Sequence, residues 1–151
     1  MNFEIKDFTE SDKGIAFELF NLADPWAKEN DRLDILESNW QKILSPSKSL
    51  NGVAVWSENQ LIGYGLYFFA TSIKTVGDEC QIRDLFIHPG FRLKGAGTVL
   101  MQHIEKTAKE ERAGRIFWAI NAARKDSIAF LNNFHAEKRE ETVFIKWFET
   151  V

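Results

Sequence analysis

One stretch limits what this chain can fold into more than any other: Gln81 to Ala108, QIRDLFIHPG followed by FRLKGAGTVLMQHIEKTA. Ile82, Leu85, Phe86 and Ile87, broken by Arg83 and Asp84 and stopped by Pro89-Gly90, predict a buried strand over Gln81 to Ile87. Beyond Gly95 and Gly97 the apolar residues fall at Leu100, Met101, Ile104 and Ala108, the spacing of one helix face. Two glycines at the first turn of that helix would leave bare backbone N–H groups beside Arg92 and Lys94. Such N–H groups lack intrahelical partners, and the helix dipole there favours negative charge, so the stretch predicts a phosphate cradle. The alternative is a loop whose glycines only let the helix pack closely on the strand.

Two familiar phosphate motifs do not fit. The dinucleotide fingerprint needs a third glycine where this chain has Leu100, and a shorter strand-to-helix turn. Gly90 and Gly95 have P-loop spacing, but Ala96 and Gly97 stand where the lysine and the metal-binding hydroxyl must be. What fits is R-x-x-G-x-G, read here as Arg92-Leu93-Lys94-Gly95-Ala96-Gly97. With the strand and turn before it, this stretch resembles the acetyl-CoA site of the GNAT family of N-acetyltransferases. The Asp84-Leu85-Phe86-Ile87 segment is most similar to the polyamine and small-amine branch.

Bulk properties bound the partners. A chain of 151 residues suffices for one domain with a proper core. A net charge of -3 without a block of like charges makes no electrostatic case for nucleic acid. The single cysteine, Cys80, excludes an internal disulfide, and with three scattered histidines it offers no zinc spacing, so no metal is expected. The longest apolar run, near Leu61 to Ala70, is far short of a membrane span. Met1-Asn2-Phe3-Glu4 starts no signal peptide, and a cytoplasmic, reduced setting is the expectation.

In chain order, Phe3, Ile5 and Phe8 predict a short strand, and Thr9-x-x-Asp12 has capping-box form. Ile15, Leu19 and Leu22, with Ala16, Phe20 and Ala23, predict a first helix; Leu33, Leu36, Trp40, Ile43 and Leu44 predict a second. Gly52 to Trp56 and Leu61 to Ala70 read as a hairpin, whose Gly63 and Gly65 mark either ligand room or packing against a helix. Ile116 to Ile120 reads as a strand parallel to Gln81–Ile87, joined to it by the long helix in a crossover. Asp126 is placed to cap a short helix carrying Ile128, Phe130, Leu131 and Phe134, and Thr142 to Phe148 reads as a closing strand.

This order resembles the GNAT fold over essentially the whole chain: α/β, with a mixed central sheet of about six to seven strands and helices on both faces, residues 1–151 forming a single domain. The resemblance implies acetyl-CoA as co-substrate, lying where the sheet splays between the Gln81–Ile87 and Ile116–Ile120 strands. The Leu85-Phe86-Ile87 backbone would then pair with the pantetheine arm. The Leu93, Lys94, Gly95, Ala96, Gly97 and Thr98 backbone would hold the pyrophosphate, with Arg92 and Lys94 at its edge. Asn121 and Arg124 would also meet the cofactor, Arg124 through a phosphate.

The implied activity is direct acetyl transfer to a primary amine of a small molecule in a ternary complex. It calls for a base, donors on the thioester oxygen and an acid for the thiolate. Asp84 is the candidate base, and the Leu85 N–H the candidate donor; the alternative makes Asp84 a partner to Arg83 or to a neighbouring strand. Register with the family's F-Y-x-x-x-G-A helix ending puts Leu131 at the usual tyrosine acid, Arg124 at an asparagine and His135 at a glycine. Tyr64 and Tyr67 are candidate replacement acids, with core packing as the other reading. Asp24, Trp26, Glu29, Asp31 and Asp34 would attract and stack on a cationic amine, although interleaved Lys28 and Arg32 fit a plain solvated loop as well. Leu131 and Arg124 also keep open an acyl-CoA-binding sensor or interaction module with little turnover. A final strand at the chain's end would offer an edge for pairing across a homodimer axis.

Overall fold

The computed structural model describes residues 1–24, 29–45 and 49–148. Trp26 and the side chains of Glu29 and Asp31, expected to face an amine, lie outside the described residues. Two compact units are present, Met1–Ala119 and Ile120–Val151.

The first unit holds one mixed sheet in the order β1 (Glu4–Asp7), β2 (Asn51–Ser57), β3 (Gln60–Thr71), β4 (Asp78–Ile87) and β5 (Arg115–Trp118). The first four strands pair antiparallel, and β5 pairs parallel to β4 after the crossover helix α3 (Ala96–Glu110). Antiparallel neighbours need only short turns: Glu58 and Asn59, at φ 49° and 64°, form a two-residue hairpin turn whose twist matches the strands. The parallel pair requires the long crossover.

Strand alternation divides the core. The pairings Tyr64↔Phe86 and Leu66↔Asp84 put these side chains on one face, where helices α1 (Lys13–Ala23) and α2 (Glu29–Leu44) pack. Phe8, Phe20, Trp40, Tyr64 and Phe86 fill that layer, the Phe20 and Tyr64 rings meeting edge to face at 4.7 Å. The opposite face receives α3 through Leu100 and Ile104. A Cβ on Gly65 would come within 3.1 Å of Leu100 and 3.2 Å of Ile104, so this glycine serves helix packing, not ligand room.

Several expectations change. The sheet of the described residues has five strands, not six to seven. Thr142–Phe148 joins no ladder, and Phe144 and Trp147 are 91% and 86% exposed. Helix α2 starts at Glu29, inside the stretch read as a polar loop. In α1 the buried residues are Ala16, Leu19 and Phe20, while Ile15 and Leu22 are half exposed. Strand β4 begins at Asp78, because buried Glu79 is paired with Arg115 of β5 and a charge inside a strand is thereby tolerated. Strand β5 stops at Trp118, before Ile120. In the second unit, α4 (Lys125–Asn132) has Arg124 at its N-cap, with Asp126 in its first turn. The Thr9–Asp12 reading holds: Asp12 Oδ2 accepts from the Thr9 backbone N–H at 2.8 Å. Among the described residues no helix is long and apolar enough to cross a membrane, and no group of three potential ligands could hold a metal.

Candidate functional site

The site begins with an irregularity in β4. Leu66 pairs with Asp84 but Tyr67 pairs with Ile82, so Arg83 is an extra residue, a bulge. Its effect can be followed through the backbone. Before the bulge, the Asp78 carbonyl accepts from Gly114 N–H at the entrance to β5, so even-numbered residues there turn toward β5. After it, the His88 N–H donates to the Ile62 carbonyl, so even-numbered residues now turn toward β3. The phase has shifted by one, and alternation aims the amides of Leu85 and Ile87 at the β5 side. The β4–β5 ladder ends at Ile82↔Trp118, where this shift occurs. Beyond that pair β4 runs on to Ile87 beside a strand that has stopped. An extended ligand on that edge would meet backbone N–H and C=O groups as an added strand does.

That edge leads into the glycine loop. Pro89–Phe91 forms one 3-10 turn, in which the Gly90 N–H donates to His88 Nδ1 at 3.0 Å, so His88 is a turn residue. Gly95, at φ 95°, is the N-cap of α3, and open space lies where its Cβ would be. Exposed Leu93 also has positive φ, 61°, a conformation that costs a leucine about 1–2 kcal/mol. The loop shape thus overrides local preference at this point. The first α-helical bond of α3 runs from Val99 N–H to the Gly95 carbonyl, leaving the Ala96, Gly97 and Thr98 amides ahead of it at the dipole's positive end. Arg92 donates through Nε to the Ile87 carbonyl at 2.9 Å and its guanidinium lies 5.4 Å from the Phe86 ring. Lys94 Nζ donates to the Gly90 carbonyl at 3.3 Å. Both cations thus bond to carbonyls of the segment that leads into the loop.

On the α1/α2 face, Asp84 is half-buried and its Oδ2 accepts a 2.5 Å hydrogen bond from the Tyr64 hydroxyl. Asp84 therefore has a partner on the neighbouring strand, whereas Arg83 stacks on Phe68 at 4.8 Å. Burial, reinforced by the adjacent carboxylate, pushes the Tyr64 phenol far above its ordinary range. Neither proposed replacement acid is open: Tyr64 is 1% and Tyr67 4% exposed. Nearby, Arg32 of α2 closes the C-terminal end of α1, donating to the Phe20 carbonyl at 2.7 Å, to Asn21 Oδ1 at 3.0 Å and to Asp24 Oδ2 at 3.4 Å. The sequence singles out Tyr64 as a replacement acid and allows Asp84 a partner on a neighbouring strand, but the bond between the two, 20 residues apart, has no local signal.

In the second unit, Asn121 Oδ1 accepts from the Ala123 N–H at 2.9 Å and Arg124 heads α4, so both serve the local turn. Leu131 is buried, and His135 takes a left-handed φ of 55° in place of a glycine. Cys80 is fully buried and desolvation pushes its thiol up to about 11, which removes it as a nucleophile.

The mixed sheet, the interrupted β4–β5 ladder and the glycine-capped α3 define the acyl-CoA N-acyltransferase fold. Residues 15–135 match the acetyltransferase (GNAT) family model, and the chain belongs to that family. It is 28% identical over 83 residues to thialysine N-epsilon-acetyltransferase of Caenorhabditis elegans, covering 55% of this chain and 51% of that protein. It is 35% identical over 86 residues to streptothricin acetyltransferase of Streptomyces lavendulae, covering 52% and 43%. The chain thus spans about half the length of these curated relatives. Among solved structures, AAC(6')-Iy in complex with the bisubstrate analogue CoA-S-monomethyl-acetylneamine matches at TM-score 0.79 and 13% identity, over 98% of this chain and 99% of that one. At that identity the likeness speaks for the fold.

Proposed function

We propose that this chain is an acetyl-CoA-dependent N-acetyltransferase that moves the acetyl group to a primary amine of a small molecule by direct transfer in a ternary complex. The observation that carries the reading is the continuous path from the open β4 edge at Leu85 and Ile87 to the Ala96, Gly97 and Thr98 amides. The first part suits the amide-bearing pantetheine arm, and the second suits a pyrophosphate. The residues present therefore fit acetyl-CoA, which would supply the activated acyl group as a thioester.

On this reading the Leu85 N–H donates to the thioester oxygen as negative charge develops there. A lysine-like ammonium has a free pKa of about 10.4, so transfer needs a base to remove its proton. Asp84, with water between, takes that role. The freed amine nitrogen then bonds to the acetyl carbon and gives its second proton to solvent, the carbon–sulfur bond breaks, and the thiolate takes a proton from solvent, since Leu131 has no proton to give. The acceptor is an amine-bearing metabolite of the polyamine or amino-acid type. Support comes from the two relatives named for acetylating thialysine and streptothricin.

A second reading, an acyl-CoA-binding module with little turnover, rests on Leu131 and Arg124, which depart from the family's usual residues. Calorimetric titration with acetyl-CoA and with CoA, followed by thiol release with thialysine, neamine and spermidine, separates the two. Saturable micromolar binding with amine-dependent thiol release is expected. Binding without release on any amine would favour the module, and no binding at millimolar ligand would overturn both.

A further inference from the structure

We propose that Tyr64 is a positioning residue for acetyl transfer: from within the α1/α2 face its hydroxyl holds the Asp84 carboxylate in one orientation beside the open end of β4. The inference rests on the reading of Asp84 as the base. Four observations lead to it. The hydroxyl donates to Asp84 Oδ2 at 2.5 Å across the β3–β4 pair. The two residues are diagonal in the ladder, Tyr64 opposite Phe86 and Asp84 opposite Leu66, so both project from the same face. The tyrosine ring is clamped by Phe20 at 4.7 Å and Phe86 at 5.9 Å, and at 1% exposure it has no other place to go. Asp84 immediately follows the bulge at Arg83, where the β3–β4 register shifts by one residue.

A rigid donor removes the rotational freedom of a short carboxylate, so its basic oxygen is presented in the same direction at every encounter. Tyr64 keeps its proton throughout, because burial and the neighbouring carboxylate both disfavour the phenolate. The proton that Asp84 takes is the ammonium's, passed through water before the C–N bond forms, because a protonated nitrogen has no lone pair to bond with. The phenol is neither its source nor its destination. This also accounts for a buried hydroxyl in an aromatic layer that phenylalanine would fill equally well.

Steady-state kinetics of four variants, with acetyl-CoA and whichever of thialysine, neamine or spermidine releases most thiol, test the proposal. Tyr64→Phe keeps the clamped ring, and its kcat should fall about tenfold with the KM for acetyl-CoA unchanged and the melting midpoint preserved. Asp84→Asn should lose about 100-fold in kcat, and adding Tyr64→Phe to it should cause no further loss, because the tyrosine acts through the carboxylate. Asp84→Glu retains a base but displaces it from the hydroxyl, and should reproduce the tenfold loss. A wild-type kcat in Tyr64→Phe or in Asp84→Glu, or an undiminished effect of Tyr64→Phe on top of Asp84→Asn, would overturn the role of Tyr64 and leave Asp84 as base. A wild-type kcat in Asp84→Asn would instead remove Asp84 from the mechanism, and the inference with it.

Discussion

Two of the strand-like segments of this chain meet different fates. Asp78–Ile87 is flanked by β3 and β5, buries Cys80, Ile82 and Phe86, and leads into the site. Thr142–Phe148 alternates equally well, with Val143, Ile145 and Trp147 on one side, yet it forms no ladder and exposes all three. Alternating hydrophobicity is permission to be a strand; a neighbouring edge with unpaired N–H and C=O groups is what makes one. The first segment has such edges on both sides for part of its length, and it is where one edge is lost that a ligand can take its place.

Stability measurements would test that contrast most severely. Ile104→Ala, at the α3 contact with the central strands, should lower the unfolding free energy by about 2–5 kcal/mol in urea titrations. A loss below about 1 kcal/mol would mean that this layer is not packed as described. Gly97→Glu, which sets charge and bulk among the α3 N-terminal amides, should weaken acetyl-CoA by about 100-fold in calorimetry while the protein stays folded. Wild-type affinity in that variant would relocate the pyrophosphate.

The buried end of β4 supplies a chemical probe. The Cys80 thiol, pushed up to about 11 by burial, should resist a disulfide reagent at pH 8 until the protein is unfolded. Its sign in stability follows from the same shift. The folded chain keeps the thiol proton after the unfolded chain has lost it, so this contribution is present below the ordinary thiol value of 9.0 and is lost as pH rises toward about 11. Rapid modification at pH 8 would show that β4 opens at this end.

The smallest effect is expected at the second segment. Phe144→Ser should change stability by less than about 0.5 kcal/mol, with the elution volume on gel filtration unaltered. A loss of more than about 2 kcal/mol, or a shift in elution volume, would show that Thr142–Phe148 finds a sheet edge in solution, and the two segments would then differ only in when they pair.

The legible part of the site was its local part. Gly95 and Gly97 after a Pro-Gly turn, followed by a 3.6-residue apolar repeat, announced α3 and its exposed amides, because the conformations involved depend on residues within a few positions. Leu85 and Asp84 were placed on different faces by alternation alone, and the register agrees. Less legible was anything set by a charge with a distant partner. The strand expected from Gln81 begins instead at Asp78, because Arg115 of β5 satisfies the buried Glu79 carboxylate. The start of α2 at Glu29 was missed because a run of acids and amides has no apolar face to betray a helix.

By itself, then, the amino-acid order determined the α/β class, the hairpin, the crossover and the glycine-capped helix, all of which follow from φ preferences, period and turn chemistry over short spans. Only the tertiary structure decided the bulge at Arg83, the turn of the Leu85 and Ile87 amides toward the open side, the bond between Tyr64 and Asp84, and the unpaired state of Thr142–Phe148. Each of these depends on which residue of another strand stands opposite, and register is a property of the assembled sheet, settled by packing on both its faces at once.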